Sequence, residues 1–109
     1  MKLDTIVCGD SLEGMRGMED GSVDLTFTDA PYNVKKNYGD YKDSLPPEEY
    51  AEWMQKIVSE TNRISKRGSV FFVGEIHQSL MWKLMPNSHV IIVFKRAIGP
   101  RSGNYSLQY

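Results

Sequence analysis

An α/β fold, with a mostly parallel sheet and flanking helices, is predicted by three features of the sequence. Short β-type apolar runs alternate with helical periodicities, Gly, Asp or Pro punctuates the joins, and residues 69–73 form an apolar run of strand length. Thr5-Ile6-Val7-Cys8 predicts a first strand ending at Gly9-Asp10. Leu12 and Met15 follow at near-helical spacing, with Asp10 and Glu13 in capping-box register, so a short helix comes next. After the turn signal Glu19-Asp20-Gly21, Val23, Leu25 and Phe27 alternate with Asp24, Thr26 and Thr28 as in a strand. That strand runs into Asp29-Ala30-Pro31-Tyr32. Pro31 has no backbone donor and steers Ala30 away from helical dihedrals, so regular pairing should stop there.

The longest helix is expected over residues 44–66, with Pro46 and Pro47 near its start, Glu48 and Glu49 in its first turn, and Lys66-Arg67 before a terminating Gly68. Tyr50, Trp53, Met54, Ile57, Val58, Thr61 and Ile64 share one face, which should pack on a sheet. Ser69-Val70-Phe71-Phe72-Val73 predicts a central strand covered on both faces. A second helix is expected from Ile76, Leu80, Met81, Leu84 and Met85, stopped by Pro86-Asn87, and residues 89–94 predict another buried strand. Such alternation implies right-handed β-α-β units, whose ligands bind at the carboxyl ends of the strands. Gly9-Asp10, residues 29–32 and Gly74-Glu75 all fall there.

With 40% hydrophobic and 25% charged residues, the composition of the 109-residue chain points neither to disorder nor to a membrane class. No apolar run approaches the roughly 20 residues that span a bilayer, and the start lacks a signal-peptide core, so a cytoplasmic location is expected. Cys8 is the only cysteine, which excludes an internal disulfide, and is expected to be a buried small hydrophobe. His77 and His89 lack a metal-like partner set. A formal net charge of −1 gives the whole chain no preference for nucleic acid. Contacts to DNA would come from local patches, and Lys35, Lys36 and Tyr38 make one candidate, equally readable as a solvated polar loop.

Asp29 and the Ala30 carbonyl are acceptors suited to hold an exocyclic amine whose lone pair is delocalised into a base. Tyr32 could stack on a base rotated out of the duplex, and Pro31 would stiffen the link between them. Preorganised acceptors and alignment with a methyl donor would supply most of the catalysis, with neither a metal nor a covalent intermediate. Ile6-Val7-Cys8-Gly9-Asp10-Ser11-Leu12-Glu13, then Ser22-Val23-Asp24-Leu25 leading to Asp29-Ala30-Pro31-Tyr32-Asn33, resembles the opening of the β-class amino-methyltransferases that modify adenine N6 or cytosine N4 in DNA. Tyr50-Ala51-Glu52-Trp53 and Arg63-Ile64-Ser65-Lys66-Arg67-Gly68-Ser69-Val70-Phe71-Phe72 resemble that family's long helix and following strand.

The resemblance covers residues 3 to 95 and implies a partial Rossmann-like methyltransferase fold, S-adenosylmethionine as cofactor and DNA as partner, with a link to restriction-modification. It implies that Asp29 and the residue-30 carbonyl bind the target amine and that Tyr32 stacks on the base. Asp10 matches a position near the cofactor, although a helix N-cap accounts for it equally well. The family tetrapeptide is usually Asp-Pro-Pro-Tyr. Ala30 keeps the carbonyl but loses rigidity worth about 0.4 to 1 kcal/mol, so weakened preorganisation is expected.

The leading Asp29 favours adenine N6 over cytosine N4, and it counts against the related Asn-Pro-Pro-Tyr enzymes that act on RNA amines or protein glutamine. A non-enzymatic nucleic-acid-binding remnant, using residues 35–42 and a basic tail with Lys95, Arg96 and Arg101, is the remaining alternative. The family's glycine-rich cofactor turn has no counterpart in the sequence. The chain is therefore expected to be a partial catalytic domain over residues 1–95, with an irregular basic tail over 96–109. It should be incomplete and inactive alone, its partner being the remainder of the enzyme or a second chain.

Overall fold

The structure, a computed structural model, describes residues 2–31, 33, 37–38, 41–42 and 44–92. Helix α1 (Ser11–Arg16) precedes strand β1 (Thr26–Asp29). A small antiparallel pair follows, β2 (Asn37–Tyr38) with β3 (Tyr41–Lys42). Next come helix α2 (Pro47–Ile64), strand β4 (Ser69–Phe72), a single 3₁₀ turn over Glu75–His77 and helix α3 (Gln78–Leu84). The central feature is a parallel pairing of β1 with β4, in register Thr26 to Ser69 through Asp29 to Phe72. Parallel strands cannot be joined by a tight turn, and α2 lies in the crossover between them.

Helix α2 forms where its sequence provides start, stripe and stop. Proline occupies its first turn with Glu48 and Glu49, favourable at the positive end of the helix dipole. Tyr50, Met54, Ile57, Val58, Thr61 and Ile64 are buried along one stripe. The helix stops two residues before the expected Lys66, because Ser65 is extended and makes an isolated parallel bridge with Val23. Gly68 then takes φ +109°, a left-handed value that lets the chain turn into β4. Hydroxyls stitch helix to strands: Thr26 Oγ1 donates to Ser69 Oγ at 2.7 Å, and Ser69 Oγ donates to Asn62 Oδ1 at 3.1 Å.

Arg63, in the last turn of α2, anchors α1. Its guanidinium donates to the carbonyls of Met15 (2.7 Å) and Met18 (2.8 Å), at and just past the carboxyl end of α1, where a cation is favourable. It also contacts Glu60 Oε2 at 2.8 Å and Asp20 Oδ1 at 2.6 Å. Hydrogen bonding to Glu60, then to Asp20, holds it still more firmly charged than an ordinary guanidinium. The exposed Lys56 and Glu52 pair at 3.8 Å adds little by comparison.

The core cluster joins Ala30, Tyr50, Met54, Val58 and Met81, with Phe71 and Val73 packed against it. All of it lies on the α2 side of the two strands. On the opposite side Phe27 and Phe72 meet edge to face at 5.1 Å, yet they remain 66% and 40% exposed. Covering of β4 on both faces is thus not found among the described residues. Residues 5–8 and 89–92 are corrected too: they are not strands, and Ile6 and Ile91 are 101% and 85% exposed. A strand requires a neighbour to complete its ladder, and neither segment has one among the described residues. Cys8 is accordingly exposed, not buried as expected. Residues 93 and 94 lie outside the described residues, as does the expected tail over 96–109.

These burials imply unequal costs. Met54→Ala, at a fully buried site, should lose about 2–5 kcal/mol of stability, whereas Phe27→Ala should lose only about 1 kcal/mol. Urea unfolding followed by circular dichroism measures both, and equal losses would show that the outer sheet face is covered in solution.

Candidate active site

The carboxyl ends of β1 and β4 fall together, with Asp29 directly opposite Phe72. Side chains alternate along β1, so Thr26 and Thr28 face α2 while Phe27 and Asp29 are exposed. Ala30 continues the alternation inward and is 7% exposed within the core cluster. One step along the chain therefore separates a solvated carboxylate from a buried methyl.

The turn after Ala30 is held by two side chains from outside it. Tyr50 Oη donates to the Pro31 carbonyl at 2.6 Å. Asn33 adopts φ +55°, a left-handed conformation that Asn tolerates better than most residues. Its Oδ1 accepts from Leu45 N–H at 2.7 Å while its Nδ2 donates to the Leu45 carbonyl at 2.9 Å. The amide thus behaves as a backbone strand would, clamping the residues after the turn to the approach to α2. Tyr50 is itself packed between rings, its centroid 4.5 Å from that of His77 and 5.9 Å from that of Trp53, both at a tilt.

Of the residues expected to form the site, Asp29, Ala30 and Pro31 are contiguous at the strand end. Tyr32, Lys35 and Lys36 lie outside the described residues, as do Lys95, Arg96 and Arg101. Tyr38 lies in β2, but its side chain is outside what the structure describes. Asp10 is exposed and caps α1, its Oδ1 accepting from Glu13 N–H at 3.0 Å. This realises the N-cap half of the capping-box pattern. Glu75 is exposed in the 3₁₀ turn that follows β4. Among the described residues, no group of three or more His, Cys, Asp or Glu could hold a metal ion, and no helix is long and apolar enough to cross a membrane.

Sequence reasoning missed the roles of Tyr50 and Asn33. It placed Tyr50 on the packing face of α2, where the one signal was a hydroxyl among apolar neighbours, a group that needs a partner when buried. Asn33 carried no such cue, because its partner Leu45 is set by the fold.

A parallel β-α-β unit thus presents Asp29, Ala30 and Pro31 at its carboxyl edge, where α/β folds bind their ligands. Residues 23–98 match the family model for DNA methylases, and the chain belongs to that N6/N4 DNA methylase family. It is 28% identical to the type II methyltransferase M.HpaI of Haemophilus parainfluenzae, over 90% of this chain and 34% of that protein. It is 31% identical to the DNA adenine methyltransferase YhdJ of Escherichia coli, over 64% of this chain and 24% of the relative. Identity is 37% to the type II methyltransferase M.BglII of Bacillus subtilis, over 64% and 19% of the two chains. The chain thus spans about a third or less of these relatives' lengths. No solved structure matches it.

Replacing Asn33 tests the clamp. Asn33→Ala loses both bonds to Leu45 and disfavours the left-handed backbone, and should cost about 2 kcal/mol. Asn33→Gly restores only the backbone freedom and should recover part of that loss in thermal unfolding.

Proposed function

We propose that this chain supplies the target-base side of a DNA amino-methyltransferase, which moves a methyl group from S-adenosylmethionine to the exocyclic amine of a flipped base. Adenine N6 is the preferred target. The observation that carries this reading is the Asp29-Ala30-Pro31 turn, held at the carboxyl end of β1, which pairs in parallel with β4. In support stand the family membership and the likeness to a protein named a DNA adenine methyltransferase. The leading Asp29 favours adenine because it resembles the adenine-modifying members of the family.

In this proposal the Asp29 carboxylate and the Ala30 carbonyl accept hydrogen bonds from the two amine protons. That draws the nitrogen lone pair out of conjugation with the ring. A preorganised pair of acceptors performs this without reorganising as charge develops. Tyr32 stacks on the extruded base, and unstacking from the duplex is the cost of reaching the amine. S-adenosylmethionine, when bound, supplies a sulfonium-activated methyl carbon. The fit of this chain to that donor is partial: Asp10 can offer a carboxylate, but the sequence contains no Gly-x-Gly turn. Donor binding therefore needs residues beyond these, and the isolated chain should show little or no methyl transfer.

In the protein at its natural length, Asp29→Ala should abolish transfer of labelled methyl groups to unmodified DNA. The circular dichroism spectrum should be unchanged, since the side chain is exposed. Retained transfer would overturn the site. Nucleoside analysis of the product should give N6-methyladenine, and N4-methylcytosine would overturn the choice of base.

A further inference from the structure

We infer that Tyr50 is a positioning residue for the target-base turn, its phenol setting the one torsion of Pro31 that the ring leaves soft. This rests on the reading of residues 29–32 as the base-binding site. Tyr50 is 2% exposed in the apolar cluster, where phenylalanine would pack equally well and a hydroxyl is costly unless bonded. Its hydroxyl meets the Pro31 carbonyl at 2.6 Å.

That carbonyl is a telling partner. The pyrrolidine ring fixes φ of Pro31, leaving ψ as its single free backbone dihedral. Holding the carbonyl oxygen fixes ψ, and ψ sets the direction in which the chain leaves towards Tyr32. The same bond therefore restrains the turn immediately after the Ala30 carbonyl.

Tyr50 is suited to the task because its own position is fixed. It sits in the first turn of α2, the crossover between β1 and β4, and packs at a tilt against His77 in the turn after β4, with ring centroids 4.5 Å apart. One side chain thus references the end of β1 to the segment that follows β4. Asn33, fastened to Leu45 on the far side of Tyr32, restrains the other flank.

Tyr50→Phe in the natural-length protein removes the bond and keeps the ring. The expected result is a fall in kcat of about ten- to a hundredfold, the scale of a misplaced reacting group. The KM for S-adenosylmethionine should change less than twofold and the unfolding midpoint should stay within a few degrees. Unchanged kcat, or losses of kcat and stability together, would overturn the inference and leave Tyr50 a packing residue. Asp29→Ala run alongside separates the two claims, because transfer surviving in that variant overturns the site reading whatever Tyr50→Phe does. Nuclear magnetic resonance of the 109-residue chain gives a readout independent of turnover. Tyr50→Phe should shift and broaden the amides of Ala30 and Asn33 while sparing those of residues 54–64, and unmoved turn amides would also overturn the inference.

Discussion

The seating of the α2 stripe against the inner face of β1 and β4 is the constraint from which the other features follow. Two parallel strands need a crossover, and a crossover helix packs back on the sheet only through its apolar side. Tyr50, Met54 and Val58 meet Ala30 there, so one contact surface joins the strand pair, closes the core and brings α2 to the turn after β1. Arg63 extends the arrangement at the other end of the helix, where the carbonyls of Met15 and Met18 hold α1 in place. Both anchors lie on a single helix, one near each terminus.

How much of this was legible in the sequence differs by element, and the difference has a physical cause. Helix α2 announced itself because its signals are local: prolines and acids at one end, a basic residue at the other and a 3.6-residue stripe between. Strands β1 and β4 were legible through alternation and β-branched runs, together with the breaks at Pro31 and Gly74. Residues 5–8 and 89–92 show equally good strand composition but are not paired. Composition reports that a segment can be buried in a sheet, whereas pairing depends on a neighbour contributed from elsewhere. Family resemblance pointed to Asp29, Ala30 and Pro31 as the proposed base-binding turn. Its supports, Tyr50 and Asn33, were not legible, since each acts through a contact 19 or 12 residues away that only the fold creates.

The alternation of β1 also bears on the electrostatics of the site. Phe27 and Asp29 share the outer face, while Thr26, Thr28 and Ala30 share the inner one. A slip of one residue in register would bury the Asp29 carboxylate and expose Ala30, so the packing of Ala30 is what keeps Asp29 facing outwards. In the described residues that outer face is open, and Asp29 stands beside the exposed Phe27 and Phe72. A carboxylate in water polarises an amine weakly, and the same group beside covered aromatic rings acts through a lower dielectric and more strongly. In the proposed role, a cover over Phe27 and Phe72 would also strengthen Asp29 as an acceptor. The sheet presents its exposed aromatic rings and the Asp29 carboxylate on the same side, so in that role shielding the outer face and tuning the carboxylate would go together.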